Sequence, residues 1–261
     1  MAKRILFEFE DLPWFPDSIR EGMTDYLRYF LTVSNFYSPV IPVLKEAIKK
    51  TGDTNLVDLC SGGGGTIQKI GKQLNNGRQD TVNITLTDKF PNVSAFKFLQ
   101  RKSGGDLNFI EYSVDAGNVP QSIKGFRTIF SGIHHFDKDA TRTVLKNAVE
   151  SRRGIGLFDG GDKNVFTMLG ILIFHPIAFF LFTPFFRPFR FSRIIYTYIL
   201  PLIPLCTVWD GIVSIMRLYE PKDLLEIAKS VNNDSYYWEA GKLRNKYFMN
   251  VTYLVGYPKA G

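Results

Sequence analysis

An open α/β sheet, mainly parallel and covered by helices on both faces, is the fold this sequence predicts. Three observations carry that expectation. Strand-like and helix-like segments alternate from Asn55 to Phe158, and strands joined by helices pair in parallel. The stretch Asn55-Leu-Val-Asp-Leu-Cys-Ser-Gly-Gly-Gly-Gly65 reads as a strand running into a tight small-residue turn, with a helical pattern after it. Glycine in such a turn lets a ligand approach the backbone, because it lacks a Cβ and tolerates positive φ. Acids fall in or after three successive predicted strands, at Asp58, Asp88 and Asp115, and a parallel sheet brings such strand ends to one rim. A chain of 261 residues buries one sizeable core, or one domain with a large insertion.

The elements follow in order. Residues 1–15 are acidic and aromatic. Ile19, Met23, Leu27, Phe30 and Leu31 recur at helical spacing and predict a helix over 17–31. A second helix opens near Pro39 or Pro42, with Ser38 as its candidate cap, and stops at Gly52. Asn55–Leu59 is the first strand, and a helix over 66–74 follows the glycines. Residues 82–87 alternate apolar and polar and end at Asp88, as a second strand. A helix over 92–101 closes at Ser103-Gly104-Gly105. Residues 107–114 read as strand three and 127–132 as strand four. An amphipathic helix over 138–151 turns Val144, Leu145 and Ala148 to one face, with Asp137 and Asp139 placed to cap it. Residues 154–158 form strand five, 221–230 a helix opened by Pro221, and 236–243 and 251–257 two late strands.

Composition bounds the function. The formal net charge is +7, with no nucleic-acid-binding motif, which leaves a membrane surface or an acidic ligand as its partner. Cys60 and Cys206 are too few for a disulfide framework, and the start has no apolar run long enough for a signal peptide. A cytoplasmic location is the expectation. An acid after strand two, Asp88, can accept from both hydroxyls of a ribose, because a carboxylate has only acceptor sites. An acid after strand three followed by a small residue, Asp115-Ala116, can reach an adenine amino group. His134 and His135 stand after strand four, where a substrate would sit, and either can accept a proton or simply orient the loop. No Cys, His or acid at ligand spacing accompanies them, so no metal is expected.

These residues together resemble the class I S-adenosylmethionine-dependent methyltransferases. Their turn, Asp/Glu-x-Gly-x-Gly-x-Gly, is matched by Asp58, Cys60, Gly62 and Gly64. Their ribose acid is matched by Asp88, their adenine acid by Asp115, and their segment after strand four by Ser131-Gly-Ile-His-His-Phe136. The resemblance covers roughly residues 50–160 and the final strands. With Trp14-Phe-Pro and Trp209-Asp-Gly, the chain looks like an uncharacterised bacterial subfamily. It implies a Rossmann-like seven-stranded sheet, S-adenosylmethionine as cofactor, and cofactor contacts at Asp58, Cys60, Gly62, Gly64, Asp88, Asp115, Ala116 and Ser131. It also implies methyl transfer to a small acceptor, apolar or lipid-like, with His134 or His135 as base. Two departures stand out: Cys60 replaces the first glycine, and Asp58 and Asp88 are further apart than the usual separation of about 20 residues, with 75–80 as the inserted loop. A dehydrogenase using the same turn for a nicotinamide cofactor, a non-catalytic membrane-associated binding protein, and non-methyl chemistry on a quinone-like substrate are the alternatives.

One region stands apart. Residues 165–186 carry no charge, the basic run Arg187-Pro-Phe-Arg-Phe-Ser-Arg193 follows, and 194–209 are again uncharged. The organisation expected is a helical extension over 1–52, a cofactor-binding core over 53–162, a hydrophobic cap over 163–209 and completion of the core over 210–261. A spanning hairpin would put three arginines on the far side of a membrane, against the positive-inside tendency, and Pro176, Pro184 and Pro188 interrupt long helices. The remaining forms are a peripheral membrane contact through 165–209 with the arginines at the headgroups, an apolar lid over the cleft, or a buried core hairpin. The oligomeric state is not legible in the sequence.

Overall fold

The computed structural model describes residues 6–76, 81–232 and 234–259. A seven-stranded sheet has the order β3-β2-β1-β4-β5-β7-β6. The chain runs α1 (Asp17–Ser34), α2 (Ile41–Thr51), β1 (Asn55–Leu59), α3 (Ile67–Asn75), β2 (Asn83–Leu86), α4 (Val93–Ser103), β3 (Leu107–Phe109), β4 (Phe126–Phe130), α5 (Lys138–Glu150) and β5 (Ile155–Gly160). It then builds α6 (Val165–Phe182), α7 (Phe191–Ile194), α8 (Leu202–Arg217), α9 (Pro221–Val231), β6 (Tyr236–Arg244) and β7 (Asn250–Pro258). The first five strands pair in parallel, and β7 runs antiparallel to both β5 and β6. The strand order reverses direction at β1, which has β2 on one side and β4 on the other, and open α/β sheets bind ligands outside such a switch point.

Both sheet faces are buried, so the parallel strands are apolar on each side. Leu56 and Phe126 face one core with Leu44, Ile48, Ile70 and Phe96, while Val57, Leu59 and Ile129 face the other with Val144, Leu145, Leu224 and Ile227. Local signals act where sequence chemistry places them. The Asn92 side chain accepts from the Ala95 amide and the Asp137 side chain from Asp139 and Ala140, each capping a helix. Gly52 and Gly104 close α2 and α4 in the left-handed conformation. Ser38 does not cap; it opens a short 3₁₀ turn from which α2 continues.

Three strand bounds differ from the sequence expectation. β3 ends at Phe109, because its one partner ends there, pairing Leu86 with Phe109. Asp115 therefore follows an extended segment rather than the strand itself. β4 ends at Phe130, where Ser131 turns to φ +52°. β5 runs on to Gly160, because β7 pairs with it as far as Gly160 opposite Val251, and Asp159 lies inside the strand. Residues 77–80 of the expected inserted loop lie outside the described residues.

The region after β5 forms a third cluster. Ala178, Phe179, Phe186 and Ile203 pack on Phe15, Ile19, Met23 and Tyr26 of the amino-terminal segment and α1. α6 turns most of its surface outward, with Phe166 at 85% and Ile173 at 62% exposure. Arg190 and Arg193 turn inward: Arg193 is buried against Asp25, and Arg190 reaches Glu21, Asn92 and Ser94. That corrects the expectation of three headgroup arginines. Asp25 is fully buried and draws these cations in, because an unpaired buried carboxylate is costly. Arg187 stays exposed.

Candidate active site

The turn after β1 is built from left-handed residues, with Cys60 at φ +56°, Gly62 at +54°, Gly64 at +87° and Gly65 at +38°. Cys60 thus takes up the conformation the missing glycine would have had, in a region where few non-glycine residues sit. Its thiol is raised well above the ordinary range by burial and by the nearby carboxylates, so it is not a thiolate nucleophile. Asp58 does not face the cleft. It is buried at the root of the turn, accepting from Ser61 Oγ at 2.8 Å and Thr128 Oγ1 at 2.8 Å, and burial pushes its carboxyl up to about 7. Its place is to hold the turn and β4 together.

Asp88 completes the turn from β2. Its Oδ2 accepts from the Gly62 amide and its Oδ1 from the Phe90 amide, each at 2.7 Å. Each oxygen keeps a further acceptor site. Burial raises the Asp88 carboxyl, and those two amides oppose the rise.

A cavity of about 380 Å³ lies between this turn and α1. Cys60, Ser61, Gly62, Gly63 and Asp88 form one wall, Arg20, Glu21, Thr24, Leu27 and Arg28 of α1 another, and Phe130, Ser131, Gly132, His135 and Phe136 a third. A second, more open hollow shares Asp11, Lys89, Phe90, His135 and Phe136 with it and adds Asp115 and Gly117. Of the cofactor residues expected from sequence, Cys60, Gly62, Asp88 and Ser131 meet in the first cavity, and Asp115 lies in the second. Asp58 and Ala116 are buried outside both, and Gly64 packs elsewhere. A Cβ on Gly64 would stand 2.1 Å from Leu99 Cδ1, so that glycine serves packing against α4. Asp115 is solvent-exposed, accepts from the Gly117 amide and faces Lys89 Nζ at 3.6 Å.

The two histidines separate. His134 is buried, with Nδ1 3.1 Å from Asp159 Oδ2, and lines neither cavity. His135 lines both. Its Nδ1 lies 2.9 Å from Asp11 Oδ1 and 3.2 Å from Glu8 Oε2. Burial disfavours its charged form, yet Glu8, Asp11 and Glu10 outweigh that and push it up to about 10.

Reading the sequence missed one whole wall. Its residues come from α1 and from the amino-terminal strap of Glu8 to Asp11. The strap is held by Asp210, which accepts from the Phe9 and Glu10 amides, and by Arg217, whose Nη1 donates to Glu8 at 2.7 Å. The one sequence signal was the pairing of Asp17 with Arg20 and Asp25 with Arg28, one turn apart on α1, which marks a polar face opposite the apolar stripe. Gly63 was missed too: a Cβ there would lie 2.6 Å from the Thr24 carbonyl oxygen, so glycine is what lets α1 lie against the turn. Among the described residues, none after Thr143 lines either cavity, and Arg190 of the hydrophobic segment reaches Glu21 and Asn92 on the wall of the first.

Solved methyltransferase structures superpose on this fold over most of the chain. The apo S-adenosylmethionine-dependent methyltransferase SibL superposes with a TM-score of 0.54 at 10% identity, over 97% of this chain and 61% of that one. This chain has the class I methyltransferase fold. An O-methyltransferase family protein from Burkholderia thailandensis matches with a TM-score of 0.50 at 13% identity, over 93% of this chain and 60% of its own. A SAM-dependent methyltransferase from Aquifex aeolicus matches with a TM-score of 0.50 at 11% identity, over 90% of this chain and 97% of its own. The chain thus spans about 60% of the length of the first two methyltransferases and nearly all of the third. No protein-family profile and no curated sequence matches it.

Proposed function

We propose that this chain binds S-adenosylmethionine in the cavity between α1 and the glycine turn and catalyses methyl transfer to a small acceptor. The observation that carries the reading is the Asp88 carboxylate, held on the cavity wall by the Gly62 and Phe90 amides beside a turn of left-handed residues. The residues fit the group. Asp88 retains acceptor sites for ribose hydroxyls, Gly62 offers bare backbone, and on this reading Phe90 and Asp115 flank the adenine. When bound, the cofactor supplies a methyl carbon already activated by a positive sulfur, so alignment of donor and acceptor does most of the work.

The chain's own residues set that alignment. α1 closes over the turn and excludes water, because Gly63 lets it approach to contact distance. Ser131 is held on the cavity wall by Tyr37, whose hydroxyl meets Ser131 Oγ at 2.5 Å. His135 ties the strap to the cavity wall through Asp11 and Glu8. His134 lies beside His135, ring centroids 4.4 Å apart, and is itself held by Asp159.

The hydrophobic segment supports a membrane-facing acceptor. α6 through α8 expose Phe166, Ile173, Leu181, Phe185, Phe191 and Ile199, an apolar surface unusual for a free monomer. Beside it stand the exposed Arg187 and Lys163, in a chain of net charge +7, which suits an anionic bilayer surface. α6 rests one face on Tyr26 of α1, and on this reading it lies in the interface rather than across the bilayer. On this reading the acceptor is lipid-dissolved and the protein works at the cytoplasmic face.

Calorimetric titration with S-adenosylmethionine and S-adenosylhomocysteine tests the cofactor reading. Micromolar binding is expected, with a loss of at least about tenfold in Asp88→Ala, worth about 1.4 kcal/mol. Absence of binding in protein with native circular dichroism would overturn it.

A further inference from the structure

The strap brings two carboxylates against the two histidines after β4. Glu8 is 1% exposed and His134 6%. His134 Nδ1 is engaged by Asp159 at 3.1 Å, and its Nε2 faces Glu8 Oε2 at 3.9 Å, beyond hydrogen-bond reach. His135 Nδ1 stands 3.2 Å from the same oxygen. One nitrogen from each ring and one oxygen of Glu8 all lie within 4.8 Å of one another.

We propose that Glu8, His134 and His135 bind a divalent first-row metal ion, zinc or manganese in kind, at the acceptor end of the cavity. Two imidazoles and a carboxylate form a ligand set for such ions, and one that leaves a coordination position open. Ligand atoms about 2.1 Å from a tetrahedral ion stand about 3.4 Å apart, and the two spacings from Glu8 to the histidines, 3.2 and 3.9 Å, bracket that value. A second observation supports the geometry. Asp159 is 2% exposed, spends one oxygen on His134 Nδ1 and has no partner for the other. A carboxylate behind a metal-binding histidine fixes the tautomer that presents Nε2. Glu8 is steadied from the other side, because Arg217 donates to its Oε1 while Oε2 faces the rings and also takes a bond from Ser214.

His135 and Asp11 line the cavity, so the open position faces the space where an acceptor would lie. Asp11, 2.9 Å from His135 Nδ1, can fill it when no acceptor is present. This deepens, and rests on, the methyl-transfer reading: the ion would hold an acceptor hydroxyl and ease loss of its proton to water. The oxygen lone pair then forms the bond to the methyl carbon, and the carbon–sulfur bond breaks with its electron pair left on sulfur.

The test uses tag-free full-length protein, stripped with chelator and titrated with Co²⁺ while visible absorption is followed. One equivalent should bind with a d–d band that Zn²⁺ displaces, and both His134→Gln and Glu8→Gln should weaken binding at least about tenfold. S-adenosylhomocysteine binding, measured on the same samples, reports separately on the cofactor site. The proposal is overturned by folded wild-type protein that shows no band, or by a band that both substitutions leave unchanged. In either case the cluster is only an ion-paired knot. Metal binding without S-adenosylhomocysteine binding would sink the methyltransferase reading and leave the ion site standing.

Discussion

Cys60 shows how one side chain can keep a backbone shape its type disfavours. It sits at φ +56°, and a Cβ added at Gly132 would stand 3.3 Å from its own Cβ. Glycine should be accepted there without loss, whereas Cys60→Val should destabilise by about 1–2 kcal/mol, because a β-branched residue resists that region. Urea unfolding of the pair measures the difference. Asp58 makes a pH prediction with an unusual sign. Burial raises its folded pKa to about 7 from the ordinary aspartate value of about 3.9, so the folded state binds more protons than the unfolded chain between those values. Its contribution is therefore full below about pH 4 and is lost as pH rises toward 7. Melting temperature should fall over that window, and Asp58→Asn should flatten the fall. An unchanged slope in the variant would assign it to other groups.

At the scale of elements, α1 joins the cleft to the hydrophobic segment. One side of it lies on Gly63, and the other holds Phe179, Phe186 and Ile203. Gly63→Ala places a methyl against the Thr24 carbonyl, so α1 must shift. The expected outcome is a loss of about 1–3 kcal/mol in stability, with S-adenosylhomocysteine binding weakened more than melting temperature alone accounts for. Arg193→Ala leaves Asp25 buried beside Arg28 and Arg190 only. Removing one member of a buried ion cluster costs about 3 kcal/mol, and chemical denaturation should show a loss of that order. A change below about 0.5 kcal/mol would mean that Arg28 and Arg190 carry the pairing unaided.

For the whole molecule, the exposed face of α6 to α8 makes partition between water and bilayer the deciding property. Flotation with vesicles containing anionic lipid should carry the protein upward, and Phe166→Ser with Ile173→Ser should leave more of it behind. Each fully buried large apolar side chain is worth about 1.5–3 kcal/mol, so two should shift partition by more than tenfold. Protein that stays at the bottom with every vesicle composition would leave the apolar face for contact with another protein.

The strands, their order of appearance, the glycine turn and the acid at Asp88 were legible in the sequence because each is a local pattern: period-two runs, small residues at positive φ, a carboxylate after a strand. Cys60 stands out in the sequence as a departure from glycine, but its left-handed form is a property of the folded turn alone. The roles of Asp58, His134 and His135 were not legible, since each depends on groups distant in the chain: Thr128 for Asp58, Asp159 for His134, Glu8 and Asp11 for His135. The inward turn of Arg190 and Arg193 was equally hidden, because in the sequence a basic run carries no trace of a buried Asp25 on another helix. Local patterning therefore determined the α/β scaffold and the place of its cleft. Tertiary packing alone decided which charges meet inside it, since burial and Coulomb energy depend on distances that only the folded chain defines.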